Sequence, residues 1–166
     1  MVVIGIYDDH NASVALSRDG EFICAVQEER FTKRKNESGF PQNAVQYILR
    51  EYNLDNSNID IVAMSTIERG SVDNYKYPIH TVFSVQDHID MLGKYWKPKL
   101  HGDSYPENYL KGVFNAKYKA EKSFFDIPDY FYKLSPKERQ SRITEIVVDT
   151  VSSFMGVNKT KVKFHD

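Results

Sequence analysis

Residues 1–27 read MVVIGIYDDHNASVALSRDGEFICAVQ, and this stretch decides the architecture. Val2, Val3, Ile4 and Ile6 make a short apolar run that predicts a strand over residues 1–7, ended by the polar cluster Asp8-Asp9-His10-Asn11. Val14, Ala15 and Leu16 open a second extended run. Arg18-Asp19-Gly20-Glu21 then supplies the Asp-Gly pair favoured in tight hairpins, and residues 22–26 form the return strand. Two β-type runs joined by Asp-Gly are the strongest short-range hairpin signal a sequence offers.

Downstream, Gly39-Phe40-Pro41 punctuates the chain before a helix expected over about residues 41–52, with Pro41 suited to the first turn. Ala44, Val45, Ile48, Leu49 and Tyr52 share one face at helical spacing. Residues 53–58 are a polar break and residues 59–64 a buried-looking strand. Strand, hairpin, helix and strand in this order indicate an α/β layer. From about residue 68 to residue 134 the chain is aromatic-rich and weakly periodic, with a helix expected over about residues 85–95. This stretch reads as an insertion between core segments 1–67 and 135–166. Its aromatics either pack a small subdomain or form a surface that recognises a substrate or a second domain. Order returns at Ser135-Pro136-Lys137-Glu138, which has the Ser, Pro and Glu of a capping box. Ile143, Ile146, Val147, Val151 and Phe154 form the stripe of a long helix, Gly156 stands where a C-terminal cap glycine belongs, and residues 161–165 begin another strand.

The chain has 166 residues, with 22 Lys plus Arg against 23 Asp plus Glu, and this near-neutrality argues against a general nucleic-acid binder. Hydrophobic residues at 41% and charged residues at 27% are the balance of a globular protein rather than a disordered one. No apolar run approaches a membrane span, and the first residues lack the pattern of a secretory signal. Cys24 is the only cysteine, which excludes an internal disulfide and suits a reducing cytoplasm; inside a strand it reads as a small core residue. His80, His88 and His101 lack ligand-like spacing, His165-Asp166 is too short to make a site, and no glycine-rich phosphate loop is present.

Two constellations could carry chemistry. Asp8-Asp9-His10-Asn11-Ala12-Ser13 sets carboxylate, imidazole, amide and hydroxyl groups at the end of the first strand, where ligands bind in α/β sheets and where turn N–H groups can face a phosphate. The same residue types also make an ordinary solvated turn. Glu28-Glu29-Arg30-Phe31-Thr32-Lys33-Arg34-Lys35 could clamp an anion, although composition favours a charged loop that balances its own signs.

Taken together, these segments resemble a known family. Gly5-Ile6-Tyr7-Asp8-Asp9-His10-Asn11-Ala12-Ser13 with Val14-Ala15-Leu16 and Asp19-Gly20 resembles the opening of the NodU/CmcH-type carbamoyltransferases. Ala25-Val26-Gln27-Glu28-Glu29-Arg30-Phe31-Thr32-Lys33-Arg34-Lys35 with Gly39-Phe40-Pro41 resembles that family's next block. The resemblance implies an α/β ribonuclease-H-like, actin-like ATPase N-terminal lobe with a mixed sheet, a β-hairpin, helices and a largely helical aromatic insertion, followed by a YrdC-like domain. It implies that carbamoyl phosphate and ATP give a carbamoyl-adenylate, and that the carbamoyl group passes to a hydroxyl of a sugar, antibiotic or nodulation factor. A divalent metal, expected to be iron, is implied as well.

By matching positions, His10 becomes the implied general base on the acceptor hydroxyl, and Asp8 the motif's acid, which either orients that histidine or contacts the metal shell. Asp9, Asn11, Ser13, Glu29, Arg30 and Lys33 become substrate- or nucleotide-binding residues. Imidazole suits the basic role as the side chain that ordinarily titrates nearest neutrality. The chain departs from the pattern at Asp9, where the family usually has Gly. The implied metal ligands are expected after Asp166, none within this chain, and alone the chain is expected to be inactive. A non-catalytic ribonuclease-H-like binding module and an ATPase or kinase of the same superfamily are the alternatives. No nucleic-acid or membrane partner is expected, and an incomplete α/β sheet would leave a face open to self-association.

Overall fold

The computed structural model describes residues 1–65, 84–106, 109, 112–113 and 124–165. Much of the expected aromatic insertion, including Tyr75, Tyr77, His80, Phe83, Phe114 and Tyr118, lies outside the described residues, as does Asp166.

The apolar run at the start forms β1 (Val2–Tyr7), which pairs antiparallel with β2 (Ser13–Arg18); β2 pairs in turn with β3 (Glu21–Gln27). The turn between β2 and β3 is the expected Asp19-Gly20, with φ of 54° and 85°. Positive φ at both central positions gives the turn the twist of the strands it joins. One register shift between Leu16 and Ser17 marks a bulge.

The charged block contains a single helical turn, α1 (Glu29–Thr32), closed by Lys33 in the left-handed region at φ 61°. The next helix, α2 (Gln42–Glu51), has Pro41 at its N-cap rather than inside its first turn. Next, β4 (Ile61–Met64) lies parallel to β1, and β5 (Val162–Phe164) lies parallel to β4. The sheet order is therefore β3-β2-β1-β4-β5, an antiparallel meander extended by two parallel strands. The parallel strands need helical crossovers: α2 leads into β4, and the long C-terminal helix leads into β5.

The side chains alternate as the register requires. Ile4, Ile6, Val14, Leu16, Val62, Met64 and Val162 all point to one face and are buried. Against that face pack Ala44, Val45 and Ile48 of α2, together with Ile143, Val147, Val151 and Met155 of the long helix. Phe125, Ile127 and Phe131, from the far end of the expected insertion, join the same core. Phe40 stacks on Phe124 with ring centroids 4.2 Å apart and meets Phe125 and Phe154 edge-on, so an aromatic cluster ties the loop before α2 to the long helix. Cys24 packs half-buried at the rim of this core, on the sheet's outermost strand.

Two further helical stretches complete the picture. Residues 85–101 form α3 (Val85–Met91), a π-helical turn (Leu92–Trp96) and α4 (Lys97–His101) in direct succession, beyond the end expected near residue 95. Their N-terminus carries a capping box between Ser84 and Asp87 that the sequence reading passed over. The long helix is α5 (Pro136–Met155), with both halves of the Ser135–Glu138 capping box formed and Gly156 at φ 66° as its left-handed C-cap. Mixed sheet, strand order and helical crossovers together define a ribonuclease-H-like N-terminal lobe. No helix among the described residues is long and apolar enough to cross a membrane.

Candidate functional site

Because β1, β4 and β5 are parallel, their carboxyl ends lie along one edge of the sheet, where loops converge and α/β proteins bind ligands. Asp8, Asp9, His10 and Asn11 follow β1 at this edge. Ser65 follows β4, its N–H donating to the Ile6 carbonyl at 3.0 Å, and His165 follows β5, its N–H donating to the Met64 carbonyl at 2.9 Å. Ser65 and His165 thus share the edge with the Asp8–Asn11 turn. Sequence spacing alone does not bring them there, since strand order places β4 and β5 beside β1.

Within the turn, Asp8 is buried at 6% exposure, Asp9 is half-buried, and His10 and Asn11 are exposed. The Asp9 Oδ1 accepts the His10 N–H at 2.8 Å, and Asn11 takes φ 63°, a conformation its short polar side chain tolerates. Ser13 opens β2, flanked by Tyr7 and Gln27 on the neighbouring strands. The N–H groups of His10 and Ala12 are engaged inside the chain, by Asp9 and by the Glu37 carbonyl at 2.9 Å. Neither donor is therefore available to cradle a phosphate.

The second block lies directly beside the first. The Glu28 N–H donates to the Ala12 carbonyl at 2.9 Å, so the turn is stitched on one side to Glu28 and on the other to Glu37. Glu28 itself is not a ligand group. Its buried carboxylate accepts the Asn43 N–H at 3.1 Å, the Asn43 side-chain amide at 2.6 Å and the Ala44 N–H at 2.8 Å. It caps α2 from a distance, which Pro41 at the N-cap has no side-chain oxygen to do. Of the expected binding residues, Glu29 is half-buried, accepts the Asn36 N–H at 3.2 Å and sits 3.8 Å from the Lys35 ammonium. Arg30 and Lys33 are exposed, and Lys33 bends back to donate to the Arg30 carbonyl at 2.8 Å.

Tyr7, the last residue of β1, belongs to this site although the motif reading passed over its phenol. Partial burial, reinforced by the charges of Asp9 and Asp8, raises the Tyr7 pKa above the ordinary phenol value. Tyr7 is therefore a protonated hydrogen-bond donor at neutral pH. Its signal in the sequence is position alone: alternation along β1 turns it away from the face of Ile4 and Ile6.

Among the described residues, no three His, Cys, Asp or Glu side chains converge as a metal would need. The described residues thus do not by themselves fit the implied metal.

An α/β lobe with a polar turn at the carboxyl edge of its parallel strands is the class of protein that fold and site define. The family model for the carbamoyltransferase N-terminus matches residues 2–134, and the chain belongs to that family. Among similar proteins, one from Methanocaldococcus jannaschii described as uncharacterized is 46% identical over 57 residues, covering 34% of this chain and 11% of that protein. An uncharacterized protein of Synechocystis is 38% identical over 53 residues, covering 32% and 9%. The nodulation protein NolNO of Sinorhizobium fredii is 36% identical over 59 residues, covering 36% and 9%. The matched stretches thus span only about a tenth of each relative's length.

Proposed function

We propose that this chain is the N-terminal part of an O-carbamoyltransferase and supplies the turn at which the acceptor hydroxyl is activated. The observation that carries the reading is the match to the carbamoyltransferase N-terminus over residues 2–134, which includes both polar blocks. The geometry supports it: the blocks are hydrogen-bonded to each other at the carboxyl edge of the parallel strands, and the His10 side chain is exposed.

In this reading the acceptor oxygen attacks the carbamoyl carbon of a carbamoyl-adenylate and its proton passes to the His10 imidazole. The bond from carbamoyl carbon to phosphate oxygen breaks, and AMP leaves. Asp8, two residues before His10, orients the imidazole; Asn11 and Ser13 hold the carbamoyl or phosphate groups, Asp9 stands beside them as a substrate-contacting residue, and Glu29, Arg30 and Lys33 line the same cleft. The carbamoyl-adenylate itself arises from carbamoyl phosphate and ATP at a YrdC-like domain of the whole protein, located in the cytoplasm, so the chain by itself is inactive. The acceptor is a hydroxyl of a sugar, an antibiotic or a nodulation-factor-like molecule, and the likeness to a nodulation protein makes the last the first compound to try.

The test is the whole protein carrying His10→Ala, assayed for carbamoyl transfer to acceptor and, separately, for carbamoyl-adenylate formation. Transfer is expected to be lost while adenylate formation persists. Unchanged transfer overturns His10 as the base, and absence of both activities in the unaltered protein overturns the assignment itself.

A further inference from the structure

One polar side chain from each of four neighbouring strands stands in a single row at the carboxyl edge of the sheet. Tyr7 is paired with Ser13, and Ser13 with Gln27. Ser65 takes the next place, because Met64 is paired with Ile6 and the Ser65 N–H bonds the Ile6 carbonyl. The row before it, Val26, Val14, Ile6 and Met64, turns into the core. Alternation therefore turns Gln27, Ser13, Tyr7 and Ser65 to the opposite face. Exposure follows the same rule: Ile6 and Met64 are buried, whereas Tyr7 and Ser65 are exposed. Among the described residues, none of these four side chains has a hydrogen-bond partner in the chain. Polar groups around them are engaged: Asp9, Glu28 and Glu29 accept backbone N–H groups, and Lys33 donates to a carbonyl.

We propose that this row is a subsite for a polyol, the hydroxyl-bearing acceptor, which lies across the strands from Ser65 toward Ser13. Hydrogen-bond chemistry selects that ligand. Each of the four side chains can both donate and accept. A hydroxyl ligand uses both capacities, whereas a phosphate uses only the donors and an ammonium only the acceptors. The local charge agrees. The row contains no Lys or Arg, and the charges of Asp9 and Asp8 reach the Tyr7 phenol, where they reinforce the effect of partial burial. An anion set on the row would face the same two carboxylates. The cations Arg30 and Lys33 instead follow β3, beyond the Gln27 end of the row, which leaves that end to the anionic reactant.

The dimensions and the neighbourhood fit as well. At a strand spacing of about 4.8 Å the row spans about 14 Å, the reach of an extended sugar rather than of one small anion. The turn that joins Tyr7 to Ser13 carries the exposed His10, so an acceptor hydroxyl held between these two residues is the one presented to the imidazole. Ser13, which also holds the carbamoyl group, marks the point where the two reactants meet. Calling the polyol the acceptor rests on the carbamoyl-transfer reading above; the row as a polyol site does not.

The experiment is NMR of the full chain with ring-labelled tyrosine, titrated with methyl glucoside and, separately, with inorganic phosphate. The Tyr7 signal is assigned from its loss in Tyr7→Phe. Methyl glucoside is expected to move the Tyr7 signal in a saturable way at concentrations up to about 100 mM, a hundredfold above a millimolar Kd. Phosphate is expected to leave it in place. Ser65→Ala, at an exposed side chain whose loss leaves the fold intact, is expected to weaken the sugar about threefold or more. No response of Tyr7 to the sugar overturns the proposal, as does a response to phosphate alone or a sugar affinity indifferent to Ser65→Ala. Sugar binding that passes these tests, in a whole protein that transfers no carbamoyl group, upholds the row as a polyol site and overturns only the carbamoyl-transfer reading.

Discussion

Removing the Glu28 carboxylate should destabilise the lobe far more than removing the carboxylate next to it in sequence. Glu28→Ala leaves the Asn43 and Ala44 N–H groups at the start of α2 without their acceptor, and Ala44 is fully buried, so water cannot replace it. Loss of a helix cap costs about 0.5–2 kcal/mol, and a buried donor left unsatisfied adds about 1–3 kcal/mol. The relief of no longer burying a charged group offsets part of this, for a net loss of about 3 kcal/mol. In a domain of this length each kcal/mol moves Tm by about 2–4 °C, so Tm should fall by roughly 6–12 °C. Urea unfolding followed by circular dichroism reads the difference directly. Glu29→Ala is the control: its carboxylate accepts one N–H at 3.2 Å and lies 3.8 Å from an exposed lysine, so its loss should cost about 1 kcal/mol or less. A Glu28→Ala variant within about 0.5 kcal/mol of the unaltered chain would refute the assignment of Glu28 as the remote cap.

Phe131→Ala, at a side chain 1% exposed, should cost about 3–5 kcal/mol in the same assay; a cost below 1 kcal/mol would show that the segment before α5 does not contribute to the main core. Gly20→Ala places a Cβ at φ 85° in the hairpin and should cost about 1–2 kcal/mol, read from the shift in the urea midpoint. NMR titration of ring-labelled tyrosine should show Tyr7 ionising above the ordinary phenol value, and Asp9→Asn should move it down by removing one of the charges that raise it. The Glu138 pKa is lowered by hydrogen bonds from the Ser135 side chain and backbone. Its contribution to stability is therefore present above the ordinary glutamate value and is lost as pH falls through the lowered one. Glu138→Gln should flatten that acid-side slope in a series of thermal melts.

Features whose partners lie within a few residues were legible in the sequence. The Asp19-Gly20 turn, the Ser135–Glu138 capping box and the Gly156 cap each close by local backbone geometry, and each forms as expected. The helical stretch of residues 85–101 outran its expected end near residue 95. In place, Gly93 lies in the π-helical turn, and Pro98 falls in the first turn of α4, directly after that turn. Glu28 was harder to place, for its partners lie 15 and 16 residues away. A carboxylate in a charged run carries no local mark of the helix it caps.

The candidate site divides in the same way. The sequence by itself determined that the Asp8–Ser13 turn follows a strand, that a hairpin leads to the charged block, and that both carry the resemblance to carbamoyltransferases, because motif and periodicity are properties of neighbouring residues. Only the tertiary structure decided that Ser65 and His165 share the edge of that turn, that Tyr7 stands beside Asp8 and Asp9 with its phenol protonated, and that Glu28 turns inward to a helix while Glu29 remains half-exposed. The reason is physical. Strand order and burial are set by long-range packing of one sheet face against α2 and α5, and that packing determines which side chains keep contact with water and which give it up.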